Sequence, residues 1–279
     1  MALVATSLLP HAVLDFTKAH KIGLQLYSLR DFIGKDVPGT IKKLGELGIQ
    51  EVETYGYSAQ NQFWGHSIAD FNKMLKGAGI TTPSGHYGVD SFLKKGGSTD
   101  EIKFNIDAAS ELGQEYLIAP AMGGDLRKNA DDYKRLGDKF NEAGELCKAS
   151  GLKFAYHNHA FEFDDMGGKS GLEILLENID KKLVTFEMDI YWVVRGGYDP
   201  VEMMKKYPKR FELWHVKDMS KTNHEHNTEI GSGTIDYKEI FDNRNTSGVK
   251  HLIIEQENFD MDPYKSLAQS IKYINNYLL

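Results

Sequence analysis

Residues 148–159 read KASGLKFAYHNH, in which a helical segment ends at Gly151 and a short β-prone run follows. The same order occurs three times earlier, around Gly48, Gly79 and Gly113, so that the four glycines are 31, 34 and 38 residues apart. A glycine just after a helix readily adopts the left-handed backbone that ends it. Repeated helix-to-strand units of this length are typical of right-handed crossovers that build a parallel sheet.

The same reading along the whole chain predicts eight strands, each followed by a helix. The strands lie near residues 21–27, 49–55, 81–88, 115–121, 152–159, 183–190, 210–217 and 249–256. Capping residues mark helix starts at Asp36, Ser98 with Thr99, Asp199, Asp236 and Asp262. In the last helix, one face carries Leu267, Ile271, Ile274 and Leu278, as expected of a helix packed on a sheet.

Eight such units predict an α/β fold, a single (β/α)8 TIM barrel over residues 21–279. An open, doubly wound parallel sheet is the competing fold. The first strand lacks a following G-x-G-x-x-G motif, which disfavours it.

Composition excludes several classes of protein. The chain has 279 residues, 41% of them apolar, which suits one large domain that needs no disulfide or structural metal to fold. Cys147 is the only cysteine, so intramolecular disulfides and cysteine-based zinc clusters are excluded. The net charge of −7 disfavours a nucleic-acid partner, and no apolar run is long enough to span a membrane.

The first 20 residues form a separate segment with an apolar start and no positively charged region before it. We expect either the remnant of an export leader or a short tail packed on the barrel. The compartment, cytoplasmic or exported to the periplasm, therefore stays open.

Ionisable residues follow apolar runs at the ends of the predicted strands. They are Glu53, His86, His157 with His159 and the nearby Glu162, Asp189, His215 and Glu255. The carboxyl ends of barrel strands meet at one rim, where ligands bind. Because converging buried carboxylates repel one another, Asp189, His215 and Glu255 together predict one bound divalent cation. Their donors suit Mn²⁺, Mg²⁺, Co²⁺ or Zn²⁺ and do not choose among them.

Six short segments resemble one known family, the xylose isomerase-like TIM barrels. They are LQLYSLRD (24–31), YHNHAFEF (156–163), EMDIYW (187–192), WHVKD (214–218), IGSGTIDY (230–237) and IIEQE (253–257). The resemblance runs over residues 21–279. The family includes sugar isomerases, sugar epimerases, inosose dehydratases and the endonuclease IV group.

The resemblance implies a metal set of Glu, Asp, His and Glu drawn from strands five to eight. Asp189, His215 and Glu255 match it directly. The fifth strand departs from the pattern, because the expected glutamate is replaced by the run Tyr-His-Asn-His. We expect Glu162 to be the fourth ligand, with His157 or His159 as the alternative.

Such a site predicts metal-dependent proton transfer next to the carbonyl of a sugar or sugar phosphate, through a metal-stabilised enediolate. The candidate bases are His159, Glu162 and Glu255, and Lys217 could neutralise the developing oxyanion. For substrate binding we expect His86, His157, Glu53 and the ring of Trp192. Gly231 and Gly233 are expected to form a turn rather than a phosphate site.

We therefore expect a sugar isomerase or epimerase with a small-molecule carbohydrate substrate. A lyase or dehydratase acting on a keto-sugar or keto-glycoside uses the same residues and is the first alternative. A carbohydrate-binding barrel without activity is the alternative of another class. Cleavage of abasic DNA fits poorly with the charge of −7. Self-association into a homo-oligomer stays open.

Overall fold

All eight predicted strands are present in a computed structural model, which describes residues 21–279. Their bounds are β1 Ile22–Gln25, β2 Glu51–Thr54, β3 Thr81–His86, β4 Tyr116–Ala119, β5 Lys153–His157, β6 Val184–Asp189, β7 Phe211–Val216 and β10 His251–Ile254. Neighbouring strands pair in parallel, and β10 pairs with β1 to close the barrel. Two short antiparallel strands, β8 Asp218–Met219 and β9 Asn227–Thr228, follow β7. The predicted TIM barrel is confirmed, and the expected N-terminal tail or leader remnant, residues 1–20, lies outside the described residues.

Helices follow the strands and surround the barrel. They are α1 Val37–Glu46, α2 Ile68–Gly77, α3 Asp90–Leu93, α4 Asp100–Leu112, α5 Ala130–Ala149, α6 Gly171–Asn178, α7 Ile190–Arg195, α8 Pro200–Lys206, α9 Tyr237–Asp242, α10 Arg244–Ser247 and α11 Pro263–Tyr273. In this part of the chain, no helix is both long and apolar enough to cross a bilayer.

The helices end and begin at the glycine and capping residues that the sequence indicates. Gly48, Gly79, Gly113 and Gly151 all have φ between 71° and 86°, the left-handed conformation that a residue with a side chain rarely adopts. At four of the five predicted starts, an aspartate side chain accepts a hydrogen bond from the first turn, at Asp36, Asp199, Asp236 and Asp262. At the fifth start, Thr99 makes no such bond, and Ser98 accepts one from the backbone of Asp100 instead.

The core lies between the barrel and its helices. The predicted apolar face of the C-terminal segment, Leu267, Ile271, Ile274 and Leu278, is buried there. Aliphatic and aromatic side chains fill most of the barrel wall, so the wall is a rigid scaffold. The charged side chains inside the barrel gather at its two ends, and the carboxyl-terminal end holds the candidate site.

Candidate active site

Seven ionisable side chains meet at the carboxyl-terminal end of the barrel. They belong to β2, β3, β5, β6, β7 and the residue just after β10, and are Glu53, His86, His157, Glu187, Asp189, His215 and Glu255. Six of them are buried, and the side chain of His86 is 10% exposed. The barrel thus brings together all of the strand-end residues predicted from sequence except His159 and Glu162, which follow β5.

A cavity of about 380 Å³ opens onto this cluster. Its wall includes the side chains of His86, His157, His159 and Glu255. The rings of Tyr27 and Tyr55 contribute apolar surface to the same wall and contact each other edge to face. A volume of this size lies within the range of small-molecule sites.

Asp189, His215 and Glu255 form the first of two groups of metal-ligating side chains, here called the Asp189 group. The Nδ1 atom of His215 lies 3.3 Å from Glu255 Oε2 and 3.8 Å from Asp189 Oδ2. The other carboxylate oxygen of Asp189 accepts a hydrogen bond from the backbone N–H of Trp192 at the start of α7. This bond fixes the carboxylate, so that Oδ2 faces the group.

Lys217 lies beside the Asp189 group. Its Nζ atom is 2.9 Å from Glu255 Oε2 and 3.7 Å from Asp189 Oδ2, and it also contacts the carboxylate of Glu257. Burial lowers the pKa of Lys217, but the carboxylates of Glu255, Asp189 and Glu257 outweigh that effect and raise the pKa above its ordinary value. Lys217 is therefore a buried, permanently charged ammonium group next to the cavity.

The second group, here called the Glu187 group, contains Glu53, His86, His157, Glu187 and the Nε2 side of His215. Glu187 Oε2 lies 2.8 Å from His86 Nε2, 3.0 Å from His157 Nδ1 and 3.2 Å from His215 Nε2. Glu53 Oε1 lies 2.8 Å from His215 Nε2 and 2.9 Å from His86 Nε2. Two carboxylates thus accept hydrogen bonds from three imidazole rings.

Two buried carboxylate oxygens in this cluster have no hydrogen-bond partner, Asp189 Oδ2 and Glu187 Oε1. A buried polar atom that makes no hydrogen bond costs roughly 1 to 3 kcal/mol. The donor atoms around Asp189 Oδ2 are an imidazole nitrogen and a second carboxylate oxygen, which are ligands that divalent metal ions take in proteins. The residues present therefore fit a divalent cation in the Asp189 group.

Burial raises the pKa of the carboxyl groups, and neighbouring charges oppose or outweigh that effect. Burial raises the pKa of Asp189 to about 6, while Lys217 and His215 act to lower it. Burial and the charge of Glu53 raise the pKa of Glu187 to about 7. Burial also acts to raise the pKa of Glu53, but His86 and His215 outweigh it and hold that pKa well below the ordinary value.

The imidazoles divide into charged and neutral rings. Burial lowers the pKa of His86, yet Glu53 and Glu187 reverse the effect and raise the pKa to about 9. Burial and the neighbouring charge of Lys217 lower the pKa of His159 to about 4. Burial also lowers the pKa of His157 well below its ordinary value. The cavity wall therefore holds one charged ring, that of His86, and two neutral rings, those of His157 and His159.

Glu162, which we expected to be the fourth metal ligand, does not reach either group. A short 3-10 helix, Phe161–Phe163, turns its side chain back under the end of β5. One carboxylate oxygen accepts the hydroxyl proton of Tyr156, and the other accepts the backbone N–H of His159 at 2.8 Å. Both oxygens are thus occupied within the protein. The structure supports another role, in which Glu162 fixes the backbone that carries His159.

Trp192, expected to stack on a sugar, lies beside His159 and Lys217 rather than in the wall of the cavity. Its ring centre is 5.5 Å from that of His159, and Lys217 Nζ is 5.4 Å from it. Tyr27 and Tyr55 provide the aromatic surface that faces the cavity. The catalytic and substrate-binding roles given to all these side chains stay predictions.

Gly231 and Gly233 form a turn held by one carboxylate. The backbone N–H groups of Gly231, Gly233 and Ile235 all donate to the side chain of Asp218, at 2.9 to 3.2 Å. A β-carbon on Gly233 would lie 2.2 Å from an Asp218 oxygen, and Gly231 has φ of 86°. Because Asp218 already takes these N–H groups, they are not free to bind a phosphate.

Sequence reasoning missed Glu187 and Glu257. Each lies two residues from a predicted ligand on the same run, Glu187 before Asp189 and Glu257 after Glu255. Alternate residues of a strand point to the same face, so a spacing of two was the available signal for Glu187. Glu257 lies beyond the end of β10, where strand periodicity no longer applies.

Comparison with known proteins identifies relatives of the whole barrel. The sequence pattern of the xylose isomerase-like TIM barrel family matches residues 41–277. A solved sugar phosphate isomerase/epimerase from Parabacteroides distasonis ATCC 8503 is 29% identical, with a TM-score of 0.80 over 96% of this chain and 98% of that chain.

Curated relatives with similar sequences are inosose dehydratases. That of Clostridium perfringens (strain ATCC 13124) is 27% identical over 180 residues, which are 58% of this chain and 60% of that protein. That of Geobacillus kaustophilus (strain HTA426) is 24% identical over 214 residues, 67% of each chain. The match to the first relative thus spans less than two thirds of its length.

The fold, the cluster at the barrel rim and the family match agree. The chain belongs to the xylose isomerase-like TIM barrel family. The relatives compared above carry the names sugar phosphate isomerase/epimerase and inosose dehydratase.

Proposed function

We propose that this protein is a divalent-metal-dependent enzyme that removes the proton next to the carbonyl of a sugar, and that it acts as an isomerase or epimerase. One observation carries the proposal. At the edge of a cavity of about 380 Å³, Asp189, His215 and Glu255 face one another, and Asp189 Oδ2 accepts no hydrogen bond.

Asp189, His215 and Glu255 would hold the metal ion. A divalent cation bound there would polarise the carbonyl and the neighbouring hydroxyl of a substrate and so acidify the hydrogen between them.

His159 is the candidate base. Its ring lines the cavity, and with a pKa lowered to about 4 the imidazole is neutral and able to accept a proton at neutral pH. Glu162 accepts a hydrogen bond from the backbone N–H of His159 and so fixes the backbone that carries the ring. Glu255, the other base predicted from sequence that lines the cavity, is engaged by Lys217 and His215.

Lys217 would stabilise the negative charge that develops on the substrate oxygen. Its ammonium group is buried and lies within 4 Å of both Asp189 and Glu255. A charge held in a water-poor site interacts more strongly than one in bulk solvent. Tyr27 and Tyr55 would contact the less polar face of the sugar.

Dehydration of a keto-sugar or cyclic keto-polyol is the second candidate. Elimination needs a base for the proton and an acid for the departing hydroxyl. The cavity wall offers both, because His159 is neutral and His86, with a pKa raised to about 9, is charged. The similarity to inosose dehydratases supports the same candidate.

The experiment follows substrate hydrogens in D2O by NMR. Protein loaded separately with Mn²⁺, Co²⁺ or Zn²⁺ is mixed with a panel of aldoses, ketoses, their phosphates and an inosose. Exchange of the hydrogen next to the carbonyl with formation of an isomer supports the leading proposal, whereas loss of water with no isomer supports the dehydratase.

The same panel tests the alternative of an inactive binding barrel. Sugar binding by calorimetry with no exchange on any substrate would support that alternative and contradict the enzyme proposal. His159→Asn should abolish exchange in this experiment, because it removes the proposed base.

A further inference from the structure

The two groups of side chains share His215, and in each group the donor atoms lie close enough together to surround a metal ion. His215 presents Nδ1 to the Asp189 group and Nε2 to the Glu187 group. His157 is placed in the same way. Its Nδ1 lies 3.0 Å from Glu187 Oε2, and its Nε2 lies 3.8 Å from Asp189 Oδ2.

The spacing of the donor atoms separates the two groups. Metal bonds of about 2.1 Å place neighbouring ligand atoms roughly 3.0 to 3.4 Å apart. In the Glu187 group, four contacts from carboxylate oxygen to ring nitrogen are 2.8 to 3.0 Å, which are hydrogen-bond distances, and a fifth, from His215 Nε2 to Glu187 Oε2, is 3.2 Å. In the Asp189 group, His215 Nδ1 is hydrogen-bonded to Glu255 Oε2 at 3.3 Å, but Asp189 Oδ2, 3.8 Å from the same nitrogen, accepts no hydrogen bond and is free to bind an ion.

Both His157 and His215 therefore have one nitrogen on a carboxylate and the other nitrogen towards Asp189 Oδ2. Glu187 accepts from Nδ1 of His157, and Glu53 accepts from Nε2 of His215. A carboxylate on the far nitrogen fixes the tautomer of a metal-binding imidazole and increases its basicity. His86 donates to either carboxylate from one ring nitrogen and so ties Glu53 to Glu187.

We propose that His157 is the fourth metal ligand, and that Glu187 and Glu53 orient the two metal-binding rings rather than bind a second ion. The site then consists of two imidazoles, His157 and His215, and two carboxylates, Asp189 and Glu255. The proposal rests on the metal site of the proposed function but not on its reaction. Two nitrogen donors favour Zn²⁺ or Co²⁺ over Mg²⁺, which prefers oxygen ligands.

The test measures metal binding without substrate. Full-length protein is stripped with a chelator and dialysed to equilibrium against Co²⁺ or Zn²⁺, with Mg²⁺ as competitor. We expect one ion per chain and little competition by Mg²⁺. His157→Ala should weaken binding more than about 100-fold, and Glu187→Gln by about 10- to 100-fold, the usual effect of losing an orienting partner.

Glu162→Gln is the matched control. Glu162 is a buried glutamate near the same strand end, but both of its oxygens bond to Tyr156 and His159. Its replacement should change the metal affinity by less than about 3-fold, well below the effect of an orienting partner. If Glu162→Gln removes binding while His157→Ala retains it, the proposal is overturned.

Two further results decide the remaining alternatives. A stoichiometry of two ions, of which one is lost in Glu187→Gln, would show that the Glu187 group is a second ion site. Should His157→Ala not fold, judged by circular dichroism, the pair Glu187→Gln and Glu162→Gln decides, since only Glu187→Gln should weaken metal binding.

His157→Glu should bind the metal more tightly than His157→Ala and should shift the metal preference towards Mn²⁺. Because no step uses a sugar, a failed activity assay leaves these results interpretable.

Discussion

The two ends of the barrel both carry clusters of charged side chains, and they differ in how those charges are satisfied. At the amino-terminal end, Glu212 accepts from Lys153 at 2.9 Å, Lys250 at 3.0 Å and the hydroxyl of Tyr116 at 2.7 Å. At the carboxyl-terminal end, Asp189 Oδ2 and Glu187 Oε1 are buried and accept no hydrogen bond. The carboxylate of Glu212 is thus satisfied within the protein, whereas two carboxylate oxygens of the other cluster are left without a hydrogen bond.

The difference separates charges that stabilise the barrel from charges that serve its site. The lysines around Glu212 are 45% exposed and bring their own charges, so that end needs no ligand. Buried carboxylates that face one another destabilise a fold unless a cation compensates them. Local conflicts of this kind are expected at functional sites.

The largest expected effect comes from removing metal ligands. Asp189→Asn and His215→Ala should each reduce metal-dependent activity more than about 100-fold, because even an orienting partner of a ligand is worth about 10- to 100-fold. Without metal, the Asp189→Asn protein should melt no lower than the wild type, since burial disfavours the charged form of Asp189 and raises its pKa to about 6 even beside Lys217. Activity assays with elemental analysis and thermal melts measure both. Full turnover in both variants would contradict the proposal that these residues bind a catalytic metal ion.

Glu212→Gln at the opposite end should show the reverse pattern. The change weakens the bonds from Lys153, Lys250 and Tyr116, and we expect a loss of about 1 to 3 kcal/mol in the free energy of unfolding. Metal content and turnover should stay within 2-fold of the wild type, roughly the scatter of such assays. Chemical denaturation measures the first quantity. A large loss of turnover without a loss of stability would break the proposed division between the two ends.

Glu162 gives a prediction about pH. Burial raises the pKa of the folded-state carboxyl to about 7, above its ordinary value of 4.5, so folding favours the protonated form. Its contribution to stability is therefore complete below about pH 4.5 and is lost as the pH rises through about 7. Glu162→Gln removes this titration. The melting temperature of the variant minus that of the wild type should therefore increase from pH 5 to pH 8. A constant difference across that range would show that the carboxyl does not titrate there.

The smallest effect concerns the aromatic wall of the cavity. Tyr27→Leu should raise KM by about 2- to 10-fold with little change in kcat, which corresponds to the usual value of an aromatic contact. Tyr116→Phe removes a hydroxyl at the amino-terminal end, and it should leave KM unchanged. Steady-state kinetics on one substrate compares the two. Equal KM values for both variants would mean that Tyr27 does not contact the sugar.

Most of the fold could be predicted from the sequence because its signals are local. Gly48, Gly79, Gly113 and Gly151 end helices through a backbone conformation that depends on one residue, and the capping aspartates act over one turn. The positions of Asp189, His215 and Glu255 at one rim then follow from the barrel itself.

The arrangement within the rim depends on distances that no local signal contains. Glu162 was expected to face the metal, but the turn after β5 directs its carboxylate to Tyr156 and to the backbone of His159. Glu187 lies on the same strand face as Asp189, yet only packing decides which neighbouring rings it meets. The sequence could therefore predict that these side chains gather at one end of the barrel, but not how each ring is oriented.

The central claim is that Asp189, His215 and Glu255 at the carboxyl-terminal end hold a single catalytic metal ion. The most direct test measures bound metal and deuterium exchange on the same samples, before chelation, after chelation, and after Mn²⁺, Co²⁺ or Zn²⁺ is restored. We predict one ion per chain, no exchange in the stripped protein, and recovery of exchange with the metal. Protein that binds no ion at saturating concentrations, and that exchanges the substrate hydrogen equally well in excess chelator, would contradict the claim.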